Sequence, residues 1–161
     1  MSKVAVWNMR CNKSPMQRKT PEWKKAMLNQ LARIQEELDE TIAGVGDMDE
    51  NEVLDGLTDI QVVFEGAVFL SGLPVDEAFE RVMANNDLKF TQNYEEAELA
   101  VEHHGIDHFH VQEYQELTEP DEHGNQFNVG KPYYSVHRNK DNKICKLLNH
   151  PRVDLSDLVE V

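Results

Sequence analysis

The sequence predicts a mainly helical fold: an antiparallel helical bundle followed by a C-terminal irregular extension with a β-hairpin. Apolar residues recur every three or four positions through residues 21–43 and again through residues 53–70, which is the spacing of amphipathic helices. Only short turn sequences separate the helical stretches, and short connections join helices that lie antiparallel. Beyond residue 107, a weaker alternation of apolar and polar residues indicates strands.

The first long helix has a clear start and a clear apolar stripe. Thr20 is a capping residue, Pro21 fits the first helical position, and Glu22 places an acid in the first turn. We predict that this helix ends at about Ala43, before the glycine-containing segment 44–47. Its apolar stripe consists of Trp23, Met27, Leu31, Ile34, Leu38 and Ile42.

Two further helices complete the predicted bundle. The second is capped by Asp49 or Asn51 and stops at the turn 72–74. Its apolar set is wider than one face, so we expect it to be largely buried. The third is capped by Asp76 and ends near Asn85 and Asn86. We expect four of its residues to face inward, namely Ala78, Phe79, Val82 and Met83.

The remaining segments are less regular. Residues 1–20 are predicted to form an irregular arm, and residues 94–101 a short acidic helix. Residues 108–117 suggest an irregular strand, residues 119–125 a loop, and residues 133–146 a hairpin with a polar turn. A last short helix is predicted to begin at Asp154.

Length and composition indicate one cytoplasmic globular domain over residues 1–161. The 161 residues suffice for a substantial core, and 40% of them are hydrophobic. No apolar run approaches the ~20 residues of a membrane span, and no N-terminal stretch suits a signal peptide. The two cysteines, Cys11 and Cys145, fit reduced thiols. The predicted parts are an arm (1–20), a helical core (21–90) and an insertion, hairpin and tail (91–161).

The charge balance restricts the classes of partner. The chain has 30 acidic and 16 basic residues and a net charge of −14. A general nucleic-acid-binding surface needs Lys and Arg to replace phosphate counterions, so we expect no direct binding of nucleic acid. Metal binding, and mimicry of a nucleic acid by a non-enzymatic acidic protein, are both compatible with this charge.

Two acidic triplets are the most informative feature of the helical core. Because a helix advances about 100° per residue, Glu36, Glu37 and Glu40 lie on one side of the first helix. By the same argument, three acids of the second helix fall within about 60° of one another. They are Glu52, Asp55 and Asp59.

Two antiparallel helices could direct both triplets into one volume. Such a cluster stays ionised only with cations, and carboxylate oxygens suit Mg²⁺, or alternatively Mn²⁺, better than zinc. The alternative is that both triplets face solvent, as charge runs usually do. A zinc site at His108 and His110 is a further alternative, although a polar surface is the more common role of such histidines.

These residues resemble the all-α nucleoside triphosphate pyrophosphatases, which include MazG, the dimeric dUTPases and phosphoribosyl-ATP pyrophosphohydrolase. The similarity is to small MazG-like members, which are often encoded by phages. It lies in Glu36-Glu37-x-x-Glu40, in the acidic helix that leads from Asp55-Gly56-Leu57-Thr58-Asp59 to Gly66, and in the segment from Asn86 to Phe90. A late Lys143-x-x-Lys146 is a looser match, and residues 94–135 resemble an insertion. The family's second motif is Glu-x-x-Asp, but its Glu position falls on Gly56 here.

The resemblance implies a Mg²⁺-dependent nucleotide pyrophosphohydrolase that cleaves an NTP or dNTP to the monophosphate and pyrophosphate. It also implies a homodimer or homotetramer. Glu36 and Glu37 would be the catalytic carboxylates, with Glu36 the candidate general base. The implied metal ligands are Glu36, Glu37, Glu40, Asp55 and Asp59, with Glu52 as an alternative to Asp55. The implied substrate-binding residues are Asn86, Lys89, Arg138, Lys143 and Lys146.

Overall fold

The computed structural model describes residues 2–115 and 130–160, and these residues fall into two compact units. The first unit extends to Val75 and the second comprises residues 76–160. Five α-helices and three β-strands occur in the described part of the chain, which confirms the predicted mainly helical fold with a β-hairpin near the C-terminus. The predicted loop at residues 119–125 lies outside the described residues.

The first unit begins with a helix that the sequence analysis did not predict. Helix α1 spans Lys3–Arg10, where we had expected an irregular arm. The Ser2 hydroxyl caps it by accepting a hydrogen bond from the Ala5 amide at 3.1 Å. Ala5 and Asn8 form its buried face, and this face packs against the helix formed by Glu50–Ser71. Tertiary packing therefore stabilises a helix too short to be stable alone.

Helix α2 spans Pro21–Asp47, and its start agrees with the prediction. The Thr20 hydroxyl accepts a hydrogen bond from the Trp23 amide at 3.1 Å, and Pro21 occupies the first helical position. The predicted end at Ala43 is wrong, because the helix continues through Gly44 and Gly46. Met48 ends it in a left-handed conformation with φ 56°.

Helix α3 spans Glu50–Ser71 and is antiparallel to α2. The Asp49 carboxylate caps its start, and Gly72, with φ 63°, ends it, as predicted. The start of α2 lies beside the end of α3, where the Trp23 indole N–H donates to the Ser71 carbonyl at 3.0 Å. The end of α2 lies beside the start of α3, where a Cβ added at Gly44 would be 2.9 Å from the Glu52 Cβ.

The contact between α2 and α3 uses small and polar residues instead of the apolar stripes. The buried residues of α2 are Gln30, Thr41 and Gly44, each of which is followed by an exposed apolar residue. The exposed fractions of those neighbours are 59% for Leu31, 59% for Ile42 and 60% for Val45. The prediction that α3 is largely buried is also wrong for a single chain. Its exposed apolar residues are Leu54, Leu57, Val62 and Phe64.

The second unit contains two helices of contrasting burial. Helix α4 spans Val75–Asp87, so Asp76 lies in its first turn and does not precede it as a cap. Phe79 and Met83, which we expected to face inward, are exposed. Helix α5 spans Tyr94–His104, as predicted for the acidic segment, and the Asn93 side chain caps it.

A three-stranded antiparallel sheet packs against α5. Strand β1 spans Phe109–Tyr114, β2 spans Tyr133–Arg138 and β3 spans Lys143–Cys145, in the order β1-β2-β3. The predicted hairpin is therefore confirmed as β2 and β3. A short 3₁₀ turn at Ser156–Leu158 stands where the last helix was predicted. The core of this unit lies between α5 and the sheet. The buried apolar residues are Ala97, Ala100, Val101, Val136 and Leu147.

A buried histidine links the strands of this sheet. The His137 Nδ1 lies 2.9 Å from the Asn142 carbonyl and therefore carries the ring proton. Its Nε2 lies 2.8 Å from the Tyr114 hydroxyl and 2.9 Å from the Ser135 hydroxyl, and its one lone pair accepts a hydrogen bond from one of them. Every polar atom of the imidazole has a partner, so this histidine has a structural role in the described sheet.

Candidate active site

The antiparallel register of α2 and α3 determines which carboxylates meet. Gln30 lies against Gly66, and Thr41 lies against Gly56, where a Cβ added to the glycine would be 3.1 Å from the Thr41 Cβ. Positions on the two helices therefore face each other when their numbers add up to about 96 or 97. By the same rule Glu37 faces Asp59, which places these two acids on adjacent turns of neighbouring helices.

The other acids gather on the same side of this helix pair. Glu36 lies about 100° and Glu40 about 60° from Glu37, both in the same rotational sense. On α3, Asp55 likewise lies about 100° from Gly56, in the same rotational sense along its own helix. Because antiparallel helices turn in opposite senses when they are viewed along one direction, equal offsets lead to the same side of the pair. The sequence-predicted acids of both helices are therefore brought together.

The pKa of Glu37 is raised in this crowded position. Partial burial raises it above the ordinary value of 4.5, and the negative charges of Asp59, Glu40, Glu36 and Asp55 raise it further. Glu37 and Asp59 are half-buried, whereas the other three acids are exposed. A divalent cation would relieve the repulsion, and a set of carboxylate oxygens suits Mg²⁺ or Mn²⁺. The chemical type of these side chains suits the predicted ion, and its binding stays a prediction.

Two neighbouring acids differ from this group. Asp39 is exposed, and its carboxylate accepts a hydrogen bond from the Gln35 amide at 2.7 Å. Glu52 lies one turn from Asp55, against Gly44, where the two helices approach closely. The position of Glu52 near the end of α2 favours Asp55 over Glu52 as the companion of Asp59.

Gly56 shows why the acid of the family motif is missing from α3. Gly56 is buried, and any side chain there would overlap the Thr41 hydroxyl, which donates to the Glu37 carbonyl at 2.6 Å. The close approach of the two helices therefore excludes an acid at this position. The departure at Gly56 is visible in the sequence, whereas the pairing of Gly56 with Thr41 is not. That pairing depends on the register of two separate helices.

Within the described residues, no group of three or more His, Cys, Asp or Glu side chains is arranged to hold a metal ion. The five acids therefore lie on one side of the helix pair without converging on one point in this structure. His108 and His110, the alternative zinc site, do not belong to such a group within the described residues either. His110 instead forms a hydrogen bond at 2.7 Å with the Asn139 side chain.

The second unit holds the predicted substrate-binding residues in two groups. Asn86 and Lys89 lie at the end of α4, where the Lys89 ammonium donates to the Asn86 side-chain oxygen at 2.7 Å. This hydrogen bond fixes the direction of a half-buried cation. The amide therefore positions the ammonium, which leaves further N–H donors of Lys89 for an anion.

Arg138, Lys143 and Lys146 lie on or next to the hairpin. Arg138 is engaged in two hydrogen bonds with Asp141, at 2.8 and 2.5 Å. The guanidinium lowers the pKa of Asp141 to about 2. Arg138 therefore already has an anionic partner, whereas Lys143 is exposed. The roles of these three cations on a substrate stay predictions.

Comparison with known proteins gives a family match. Residues 9–86 match the family model described as Phosphoribosyl-ATP pyrophosphohydrolase. The matched segment contains α2, α3 and all five proposed metal ligands, together with Asn86. Searches of curated proteins and of solved structures find no significant match. In the described part of the chain, every helix is too short or too polar to cross a membrane.

Proposed function

Residues 9–86 form a phosphoribosyl-ATP pyrophosphohydrolase domain of the MazG-like all-α NTP pyrophosphatase superfamily, and we propose that this chain is a Mg²⁺-dependent hydrolase of nucleoside triphosphates. The family match supports a pyrophosphohydrolase-type activity on nucleotides. The proposal adds the substrate, an NTP or dNTP, and the products, the monophosphate and pyrophosphate. The observation that carries it is the cluster of five acids on two facing helices, in which Glu37 lies opposite Asp59.

The metal would be held by Glu36, Glu37, Glu40, Asp55 and Asp59. When bound, Mg²⁺ would neutralise charge on the triphosphate and increase the electrophilicity of the phosphorus atom. The half-buried Glu37 and Asp59 would gain most from the ion, because their charges are the least solvated of the five. The paired helices hold the two carboxylates in place before the substrate arrives.

Glu36 is the proposed general base, a role that it takes when its carboxylate is not bound to the metal. It is exposed on the side of α2 that carries the acids, where water can reach it. In the reaction, a water oxygen attacks the α-phosphorus, and the bond to the oxygen that bridges the α- and β-phosphates breaks. The water proton passes to the Glu36 carboxylate, and pyrophosphate leaves.

The remaining roles rest on the resemblance. Lys89 is proposed to offset phosphate charge, with Asn86 holding its ammonium through the 2.7 Å hydrogen bond. Arg138, Lys143 and Lys146 are proposed as further phosphate contacts. Arg138 would have to exchange its contacts with Asp141 for contacts with substrate, so we expect it to contribute the least of these cations.

We also propose that the active form is a homodimer or homotetramer. Leu31, Leu38 and Ile42 form a stripe along α2 that is 41–59% exposed in the single chain. Because acids and apolar residues lie on opposite sides of the contact with α3, a second copy could cover the stripe without covering the carboxylates. Burying such a patch removes apolar area from water, which favours association.

A screen of pyrophosphate release across the common NTPs and dNTPs, with and without Mg²⁺ or Mn²⁺, tests the function. We expect release of pyrophosphate, and no inorganic phosphate, from at least one of these nucleotides in the presence of metal. If no nucleotide releases pyrophosphate, the non-enzymatic acidic protein becomes the better interpretation of a chain with a net charge of −14.

A further inference from the structure

We propose that a cavity in the second unit binds the nucleobase of the substrate and selects guanine. The cavity has a volume of about 240 Å³ and lies beside Phe90, Glu96 and His150. This volume is below the ~300–1,000 Å³ of typical small-molecule sites, so the cavity suits one ring system better than a whole nucleotide. The inference rests on the proposed function, because it assigns the base of the same substrate.

His150 contributes a buried acceptor that has no partner. Its Nε2 lies 3.0 Å from the Asn85 side-chain oxygen, and the Asn85 amide nitrogen donates to the Pro151 carbonyl at 3.1 Å. The Nε2 therefore carries the ring proton, which leaves Nδ1 as an acceptor. Nδ1 is enclosed and makes no hydrogen bond with any described residue. Because Nδ1 is shielded from the cavity, His150 serves in this proposal as part of the cavity wall, held by its contact with Asn85.

Glu96 contributes the acceptor that a ligand can reach. One of its carboxylate oxygens accepts a hydrogen bond from the Thr91 hydroxyl at 2.6 Å, which holds the half-buried side chain in place. The other carboxylate oxygen has no hydrogen-bond donor among the described residues. An ionised carboxylate can only accept hydrogen bonds. The cavity therefore favours a ligand that presents donors.

The apolar walls favour a flat ring. Leu88, Phe90 and Leu147 line the cavity. Phe90 is itself fixed by edge-to-face contacts with Tyr114 and Tyr133, at centroid distances of 5.8 and 5.6 Å. An aromatic side chain held in this way is a suitable surface for a base.

Guanine fits these groups best among the common bases. Its ring N1–H and its 2-amino group are adjacent donors, which match a carboxylate. Adenine and cytosine each offer an amino group beside a ring acceptor, and uracil offers no amino group. Lys89, the proposed phosphate contact, lies between two lining residues, Leu88 and Phe90. The base and phosphate contacts would thus share one turn of the chain.

Calorimetric titration of the full chain with GMP and with IMP tests the proposal, since these ligands differ only in the 2-amino group. We expect GMP to bind about tenfold more tightly than IMP, the ratio given by the loss of one hydrogen bond to a charged carboxylate. Glu96→Gln should abolish this preference, because its amide N–H₂ would face the donors of guanine. The exposed neighbour Glu95 provides the control, and Glu95→Gln should keep the preference.

Equal binding of GMP and IMP by the wild type, or binding of neither, would overturn the proposal. Titration with monophosphates requires no hydrolysis, so this failure would leave pyrophosphate release untouched. Conversely, a preference for GMP without release of pyrophosphate from any NTP would remove the proposed function and keep the base site.

Discussion

Replacing Gly56 by alanine tests the helix contact that positions the carboxylates. A Cβ at this position would overlap the Thr41 hydroxyl and lie 3.1 Å from the Thr41 Cβ and 3.3 Å from its Cα. Overpacking a tight contact costs about 1–3 kcal/mol. Alanine also gains roughly 0.5–1 kcal/mol over glycine inside a helix. We therefore expect Gly56→Ala to lower the free energy of unfolding by roughly 1–2 kcal/mol.

Gly66 provides a matched control on the same buried face of α3. A Cβ added there would lie 3.7 Å from the Gln30 side-chain oxygen and 3.9 Å from the Asn8 amide nitrogen, which are ordinary contacts. Gly66→Ala should therefore raise the free energy of unfolding by roughly 0.5–1 kcal/mol through helix propensity alone. The difference between the two variants isolates the overpacking at Gly56.

Urea denaturation followed by circular dichroism, at one fixed protein concentration, measures both variants. Gly56→Ala should also raise the Mg²⁺ concentration needed for activity, because the shift of α2 would move Glu37 away from Asp59. If the two alanine variants have the same stability, the proposed register of α2 and α3 is wrong.

Three further predictions concern charge and assembly. Without divalent cations, Glu37→Gln should stabilise the protein at neutral pH. The pKa of Glu37 is raised in the folded state, so the wild-type protein loses stability as the pH rises from about 4.5 through that raised pKa. Thermal melting measured against pH should therefore show a flatter profile for the variant. An NMR titration should place the pKa of Asp141 at about 2, and Arg138→Gln should return it toward 3.8; the lowered pKa means that the stabilisation is present above pH ~3.8 and is lost as the pH falls through ~2. Leu31→Glu should reduce the oligomer to a smaller species in sedimentation velocity, since this 59% exposed leucine belongs to the proposed interface.

Local chemistry made parts of the fold predictable. The start of α2 follows from Thr20 and Pro21, because a cap and a first-turn proline act over three or four residues. The end of α3 follows from Gly72 in the same way. Helix α1 was missed, although Ser2 and the apolar residues after it carried the capping signal.

Tertiary causes account for the main errors. The glycine-containing segment after Ala43 was interpreted as a helix stop, yet Gly44 is helical and lets α3 approach to the Glu52 Cβ. The apolar residues of α2 and α3 predicted burial, but several of them, such as Leu31, Ile42 and Leu54, remain exposed in one chain. Thr41 and Gly56 lie in the contact between the helices instead. From the sequence alone, an apolar stripe that stays exposed in one chain looks the same as a stripe that is buried within the chain.

The candidate site was predictable where it depends on one helix. Helical spacing alone grouped Glu36, Glu37 and Glu40 on one side, and the structure keeps them together. The pairing of Glu37 with Asp59 needed the register of two helices, which no local pattern contains. The same holds for Glu96 and His150, which line one cavity from distant parts of the sequence.

The central claim, a metal-dependent release of pyrophosphate at the carboxylates of α2 and α3, depends on Glu40. The measurement that tests it most directly is pyrophosphate release by Glu40→Gln at saturating Mg²⁺, beside Asp39→Asn, which changes the exposed neighbouring acid. We predict that Glu40→Gln loses at least about 100-fold in rate while its melting curve is unchanged, and that Asp39→Asn retains the wild-type rate. Equal rates for the two variants would contradict the assignment of this acidic cluster as the metal site.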